Sequence, residues 1–408
     1  MVSDFMIGKF KSLFFLIVVG LFLPLTAASQ RPADSPNSDR AKAIAFAEAN
    51  RYLDAYPILE KIAPQLPNDV EVWTHYGISL ATRSVTLSDP RERKAERKRA
   101  YVALVKAKEL GTQHVMALSF LDQLPADGGD EDNFLSANPE VEKALREGEQ
   151  YFGRGEYDKA FAAYERAYKL DPKSYEAVLF MGDSIYAQEK YAQSEPWFAK
   201  AAEIDPNREL AYRFWGDALL AQEKVGPAAT KFIEAFIADP YARYSWENIN
   251  KITKKSGKQF DVRGIFPPGT DGFGGIKIDT TQLSEKDGTK LWLKYVETRN
   301  AWAKEIFRKE NPGVPYRHSL KEEIAALSAV AGGAAPLIKN KSLTNPHHSI
   351  VNLLELRDNG MLEPYVLLLS ADEEIAEDYA TYRSQNRDRL RRFLTDNVFV
   401  FTDGGRPK

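Results

Sequence analysis

The chain is 408 residues long, carries 55 Lys+Arg against 58 Asp+Glu for a formal net charge of −3, and contains no cysteine. That balance lacks the basic stripe of a nucleic-acid binder, and the missing thiols exclude disulfides, thiolate metal sites, a cysteine nucleophile and a lipid carried on cysteine. With 44% hydrophobic and 28% charged residues it can bury the cores of two or three domains, which excludes wholesale disorder.

Residues 1–29 read as an export signal. Lys9 and Lys11 precede an almost unbroken apolar run from Ser12 to Leu25, and Thr26-Ala27-Ala28-Ser29 offers small residues to a signal peptidase before Gln30. The run is shorter than the ~20 residues that a membrane-crossing helix needs. The expectation is cleavage and an exported, periplasmic chain without a later transmembrane span; an uncleaved signal that anchors the chain is the alternative. Residues 30–38 are polar and Pro-rich, a flexible lead-in.

From residue 36 a pattern of helix pairs begins. Ala43, Phe46, Ala55, Leu59, Ile62 and Pro67 form one set of small and apolar columns, and Trp73, Tyr76 and Gly77 open a second. An insertion of about 11 residues displaces the rest of that second set to Ala100, Leu104 and Ala107. It carries a basic run, Arg91, Arg93, Lys94, Arg97, Lys98 and Arg99, whose spacing with Glu92 and Glu96 suits a solvated helix face; docking to anionic lipid or an acidic partner is the other reading. Residues 115–140 form a junction broken at Pro125-Ala126-Asp127-Gly128-Gly129. The pattern then becomes regular. Gly148, Gly182 and Gly216 stand 34 residues apart, as do Ala160, Ser194 and Ala228, then Tyr164, Phe198 and Phe232, then Ala167, Ala201 and Ala235, and each unit closes on Asp-Pro at Asp171, Asp205 and Asp239.

These columns resemble the tetratricopeptide repeat, with regular units at 141–174, 175–208 and 209–242 and two degenerate units within 36–114. Small residues let the two helices of a unit approach, the aromatic fills the space between units, and proline ends each unit because it cannot continue a helix. One hairpin cannot cover its own apolar face, so the units must stack. The resemblance implies an all-α chain: a right-handed superhelical solenoid of hairpins, then a mostly helical C-terminal domain.

It also implies a concave groove lined by the first helix of each unit at places 2, 5, 9, 12 and 13. Place 9 holds Glu149, Asp183 and Asp217; place 2 adds Glu142 and Glu176; place 5 is Leu145, Leu179 and Arg213; place 12 is Phe152, Tyr186 and Leu220. The three units hold 18 acidic and 13 basic residues, so the expected ligand is an extended or helical segment of a protein with basic character. The alternative is that these acids only solvate a face or pair with neighbouring cations. The Lys/Asn/Arg clamp of chaperone-binding relatives is absent at these places, so a C-terminal carboxylate is not the expected ligand.

Beyond Pro240, Ala242–Ser256 reads as a capping helix and 257–284 as a Gly/Pro-rich linker with a short strand at Ile276–Asp279. Gly269–Gly275 matches neither phosphate-loop pattern. Residues 285–408 read as helical. Trp292, Tyr295, Val296, Arg299, Trp302, Ala303, Ile306 and Phe307 form an apolar stripe, and Ser319 with Glu322 makes a capping box for a helix ending near Gly332-Gly333. Further helices cover His348–Asn359, Pro364–Ser370 and Ala371 to about Thr395, the last capped by Ser370. No cofactor is expected. The five histidines show no metal-binding spacing, and no G-x-S-x-G elbow occurs. The resulting expectation is a non-catalytic scaffold of the cell envelope. An envelope enzyme with a catalytic C-terminal domain is the alternative, and self-association through groove aromatics a third reading.

Overall fold

The computed structural model describes residues 36–129, 134–256, 258–260, 264–266 and 278–401. The export signal at 1–29, Gly269–Gly275 and the tail from Gly404 lie outside the described residues. The chain divides into two compact units at Ala228/Ala229, and each is taken by itself.

The first unit is a succession of helices: α1 (Pro36–Glu48), α2 (Tyr52–Ile62), α3 (Val70–Thr86), α4 (Pro90–Glu109), α5 (Val115–Gln123), α6 (Pro139–Phe152), α7 (Tyr157–Leu170), α8 (Tyr175–Tyr186), α9 (Tyr191–Ile204), α10 (Glu209–Ala221) and the start of α11 (Val225–Ala238). Local chemistry sets their ends. Asp69, Asp89, Asn138 and Ser174 accept first-turn N–H groups of α3, α4, α6 and α8, each cap contributing ~1 kcal/mol. Where the two helices of a unit join, one residue turns left-handed: Asn50, Gly155, Glu189 and Glu223, at φ 57°, 73°, 61° and 60°. All four occupy the same place in the 34-residue register. At the other joint, the Asp171 and Asp205 carboxylates accept the N–H of Lys173 and Asn207 at 3.0 Å, so the acid of each Asp-Pro shapes the turn while the proline stops the helix.

Packing follows the columns. A Cβ on Gly148 would lie 2.2 Å from the ring of Tyr164, and one on Gly182 2.7 Å from that of Phe198, so each glycine is the floor for the aromatic of its own unit. The same rings also reach the next unit, Tyr164 to Phe180 at 5.3 Å between centroids and Phe198 to Phe214 at 5.8 Å. Burying such a ring fully stabilises by up to about 3 kcal/mol. The insertion lengthens α4 rather than forming a loop, and Leu104 of α4 takes the ring's position against Gly77 of α3, 2.6 Å from where a Cβ would stand.

The second unit holds the rest of α11, α12 (Arg243–Ser256), α13 (Leu293–Ala301), a π-helical turn at Trp302–Ile306, α14 (Phe307–Glu310), α15 (Leu320–Lys339), α16 (His348–Asp358), α17 (Leu362–Tyr365) with a π-helical turn at Val366–Ser370, α18 (Glu373–Ala376) and α19 (Tyr379–Phe393). Its core joins Phe236 and Ile237 of α11 and Ile249 of α12 to Trp292, Val330, Ile350, Leu353, Tyr365 and Phe393. Two short antiparallel strands, β1 (Lys258–Phe260) and β2 (Phe399–Phe401), pair with Lys258 opposite Phe401.

Two helix ends differ from the sequence reading. α15 runs through Gly332-Gly333 because a Cβ on Gly333 would stand 3.0 Å from Leu291, so close approach rather than helix breaking explains that glycine. The long helix expected from Ala371 is split. Ala371 is extended at ψ 135°, Asp372 rather than Ser370 caps α18 by accepting the Ile375 N–H at 2.8 Å, and α19 is kinked at Asn386.

Candidate partner-binding groove

The place-9 acids sit on α6, α8 and α10. Glu149 is 7% exposed and accepts a hydrogen bond from the Tyr164 hydroxyl at 2.6 Å. Burial pushes its carboxyl up to about 7, against the pull of that hydrogen bond and of Arg146. Asp183 is 9% exposed, and no described residue donates a hydrogen bond to its carboxylate or pairs with it as an ion. Burial, then the charge of Glu149, raise it to about 8, with Arg213 opposing. Asp217 is half-buried.

The remaining groove residues fall into two groups. Tyr186 and Leu220 are half-buried, and Tyr186 meets Tyr191 at 5.2 Å. Glu142 and Glu176 are half-buried too, in ion pairs with Arg146 at 2.7 Å and Arg208 at 2.6 Å. The others present little or no surface. Leu145 and Leu179 are 0% exposed and Phe152 is 5% exposed, so these three belong to the core rather than to an open groove. Arg213 is buried as well, paired with Glu209 at 3.0 Å and lying over the Phe214 ring. Place 5 thus points between helices, a direction fixed by the stacking of units and invisible along one helix.

The structure adds residues that the sequence reading passed over. Tyr157 and Tyr191, 34 residues apart, open the second helices and meet the place-12 rings, Phe152 at 5.2 Å and Tyr186 at the same distance. Their common spacing was the available signal.

The basic run in α4 is only partly a solvated face: Arg91, Lys98 and Arg99 are exposed and Lys94 half-buried, while the other two members turn inward. Arg93 and Arg97 are 1% and 3% exposed. Arg93 donates to the Ser88 carbonyl at 2.8 Å, Arg97 to that of Gly128 at 2.6 Å, and Arg99 bonds Glu60, Glu96 and the Tyr76 hydroxyl. These guanidiniums tie the inserted turns to the rest of the first unit.

The second unit contains a dense charged cluster. His318 Nδ1 lies 2.7 Å from Asp372 and Nε2 3.1 Å from Glu323, which also accepts from Tyr295 at 2.6 Å; Glu322 accepts from Arg299 at 3.0 Å and from Tyr316. Ser319 accepts the Glu322 N–H, but the Glu322 side chain turns to Arg299 instead of completing the capping box. Burial opposes a charge on His318, yet its two carboxylate partners outweigh it and raise the imidazole to about 9. With both ring nitrogens engaged, the imidazole has no free lone pair for proton abstraction. A cavity of about 340 Å³ in this unit is lined by Ile338, Val351, Leu354 and Glu355, away from the cluster. Among the described residues no group of three or more His, Asp or Glu could hold a metal ion, and no helix is long and apolar enough to cross a membrane.

A tetratricopeptide-repeat family model matches residues 145–209. No curated protein matches the chain. Among solved structures, the first tetratricopeptide domain of Spaghetti (RPAP3) bound to an HSP90 peptide is 20% identical, covering 29% of this chain and 94% of that one at a TM-score of 0.28. The TPR2AB domain of yeast Sti1 in complex with an HSP90 peptide is 18% identical over 54% and 98% of the two chains, also at 0.28. MamA from Desulfovibrio magneticus RS-1 is 17% identical over 51% and 97%, at 0.24. These scores carry no argument; the assignment rests on the matched segment and on the glycine, aromatic and Asp-Pro positions seen in the fold. Residues 145–209 thus carry tetratricopeptide repeats.

Proposed function

We propose that this protein is an exported, non-catalytic scaffold of the cell envelope whose repeats seat a basic segment of a partner protein. The repeats give it the architecture of a protein-interaction module. The observation that carries the reading is the row of place-9 carboxylates, with Asp183 lacking a partner among the described residues and Asp217 following it, beside the half-buried rings of Tyr157 and Tyr186. Aromatic and apolar surface supplies affinity in such a groove, and carboxylates select a cationic sequence and its register. Glu142, Glu176 and Leu220 border the same face, while the buried members of the original set hold it in shape. The C-terminal unit is read as a second docking element. Its His318 cluster is arranged as a clasp between residues 317–323 and 372–378, which favours a structural role there.

The test is binding of capped peptides matched in apolar content and differing in lysine content, read by fluorescence anisotropy. Lysine-bearing peptides are expected to bind, and Asp217→Asn together with Tyr186→Ala to weaken them about tenfold or more at unchanged helicity. Equal binding of neutral and basic peptides would remove the charge argument, and unchanged binding by the double variant would remove the groove. Export is tested separately: the N-terminus of protein recovered from the envelope fraction is expected to be Gln30.

A further inference from the structure

The three place-9 acids stand at equivalent positions but differ in how they are satisfied. Among the described residues Glu149 has one donor, the Tyr164 hydroxyl, and Asp183, nine-tenths buried, has none. Withdrawing a polar group from water without a partner is unfavourable, and more so if it is charged. The groups facing the two carboxyls offset that cost only in part. From α6, Arg146 is held by Glu142 at 2.7 Å and by the Val85 carbonyl. From α10, Arg213 is held by Glu209, and Asp217 follows one turn further along the helix. From α7 come Tyr157 and Tyr164, and on α8 itself Tyr186, all phenols that burial keeps neutral. α9 contributes Ser194 and Phe198 to the buried interior, neither of them charged.

We propose that Glu149 and Asp183 form a recessed seat for one ammonium or guanidinium side chain of the partner segment, holding a proton while the groove is empty and releasing it when the cation arrives. The inference rests on the groove reading and deepens it, from a basic partner to proton-coupled recognition of a single cationic side chain. The exchange is balanced. The carboxyl O–H bond breaks, its proton goes to solvent, and the carboxylate left behind pairs with the incoming cation. Burial is what favours the neutral carboxyl in the empty seat, and an opposite charge within a few ångströms reverses that preference. Selectivity follows, because a neutral side chain entering the seat would leave the proton in place and gain no ion pair.

The experiment is calorimetric titration of the full chain with a capped lysine-bearing peptide and its norleucine counterpart, in buffers of different ionisation enthalpy and at several pH values. The lysine peptide is expected to release close to one proton near neutral pH. Its affinity should rise by up to about tenfold per pH unit until about pH 8 and level off above. Asp183→Asn, which has the shape of the protonated acid and so preserves the fold, is expected to abolish both the proton release and most of the pH slope. Lysine binding without proton release, or a full slope kept by Asp183→Asn, would overturn the seat and leave the groove reading intact. No binding of the lysine peptide at any pH would overturn both. Carboxyl carbon resonances of the free protein give a check independent of any ligand: an Asp183 already ionised at pH 6 would also overturn the seat.

Discussion

His75 and His114 meet edge-on at 5.5 Å between ring centroids in the first unit, and the Nδ1 atoms of both are buried without a hydrogen-bond partner among the described residues. Burial, then the neighbouring imidazole, push His75 down to about 4. In the unfolded chain the same group takes up a proton near pH 6.5. Its folded pKa is depressed, so the stability tied to its neutral form is present above pH 6.5 and erodes as pH falls towards 4. The loss is about 1.4 kcal/mol per pH unit and about 3 kcal/mol in all. His318 has the opposite sign: its clasp with Asp372 and Glu323 is fully charged below pH 6.5 and is lost as pH rises through about 9. Thermal melts between pH 7 and pH 4.5 are expected to fall steeply for the wild type and less so for His75→Phe. Parallel curves for the two proteins would show that another group carries the acid sensitivity. Neither contact could be read from the sequence, since 39 residues separate His75 from His114 and 54 separate His318 from Asp372.

Hairpin joints place a non-glycine residue in the left-handed region in two regular units, at Glu189 and Glu223, where the first regular unit has Gly155. A side chain with a Cβ is disfavoured there by roughly 1 kcal/mol. Glu189→Gly and Glu223→Gly are therefore expected to raise stability by about 0.5–1 kcal/mol each and to add, as the sites are separate. Gly155→Ala should cost a similar amount, and chemical denaturation of the three variants reads all of these changes; a loss on Glu189→Gly would sink the argument. At this scale much was legible. The glycine, aromatic and Asp-Pro columns mark contacts within a unit or between adjacent units, and a fixed 34-residue spacing reports such contacts directly. The groove was only half legible. Spacing put Glu149, Asp183 and Asp217 in one column but could not say how deeply each lies, because the packing of neighbouring helices decides burial. Leu145 and Leu179 looked equally available along a single helix and are wholly enclosed by the stack. α15 shows the same limit, as Gly332-Gly333 reads as a stop until Leu291 is seen beside it.

For the whole chain, the division at Ala228/Ala229 cuts through α11, so the third repeat's second helix contributes Ile233, Phe236 and Ile237 to the C-terminal core. A fragment beginning at residue 285 lacks those side chains and Ile249, and is expected to lack a cooperative thermal transition. A fragment beginning at Val225 retains them and should melt cooperatively. A cooperative melt of the shorter fragment would mean that α11 and α12 are dispensable to that core. The strand pair has a mechanical consequence. Lys258 lies opposite Phe401, so the chain enters β1 and leaves β2 at the same end of the ladder. Tension between those two exits acts across the strands, along the direction of their hydrogen bonds, and loads the rungs in succession rather than together. The pair is thus a zipper, not a shear joint, and a machine drawing the polypeptide in from its carboxyl end would open this fastening one rung at a time before its pull reached the helical core.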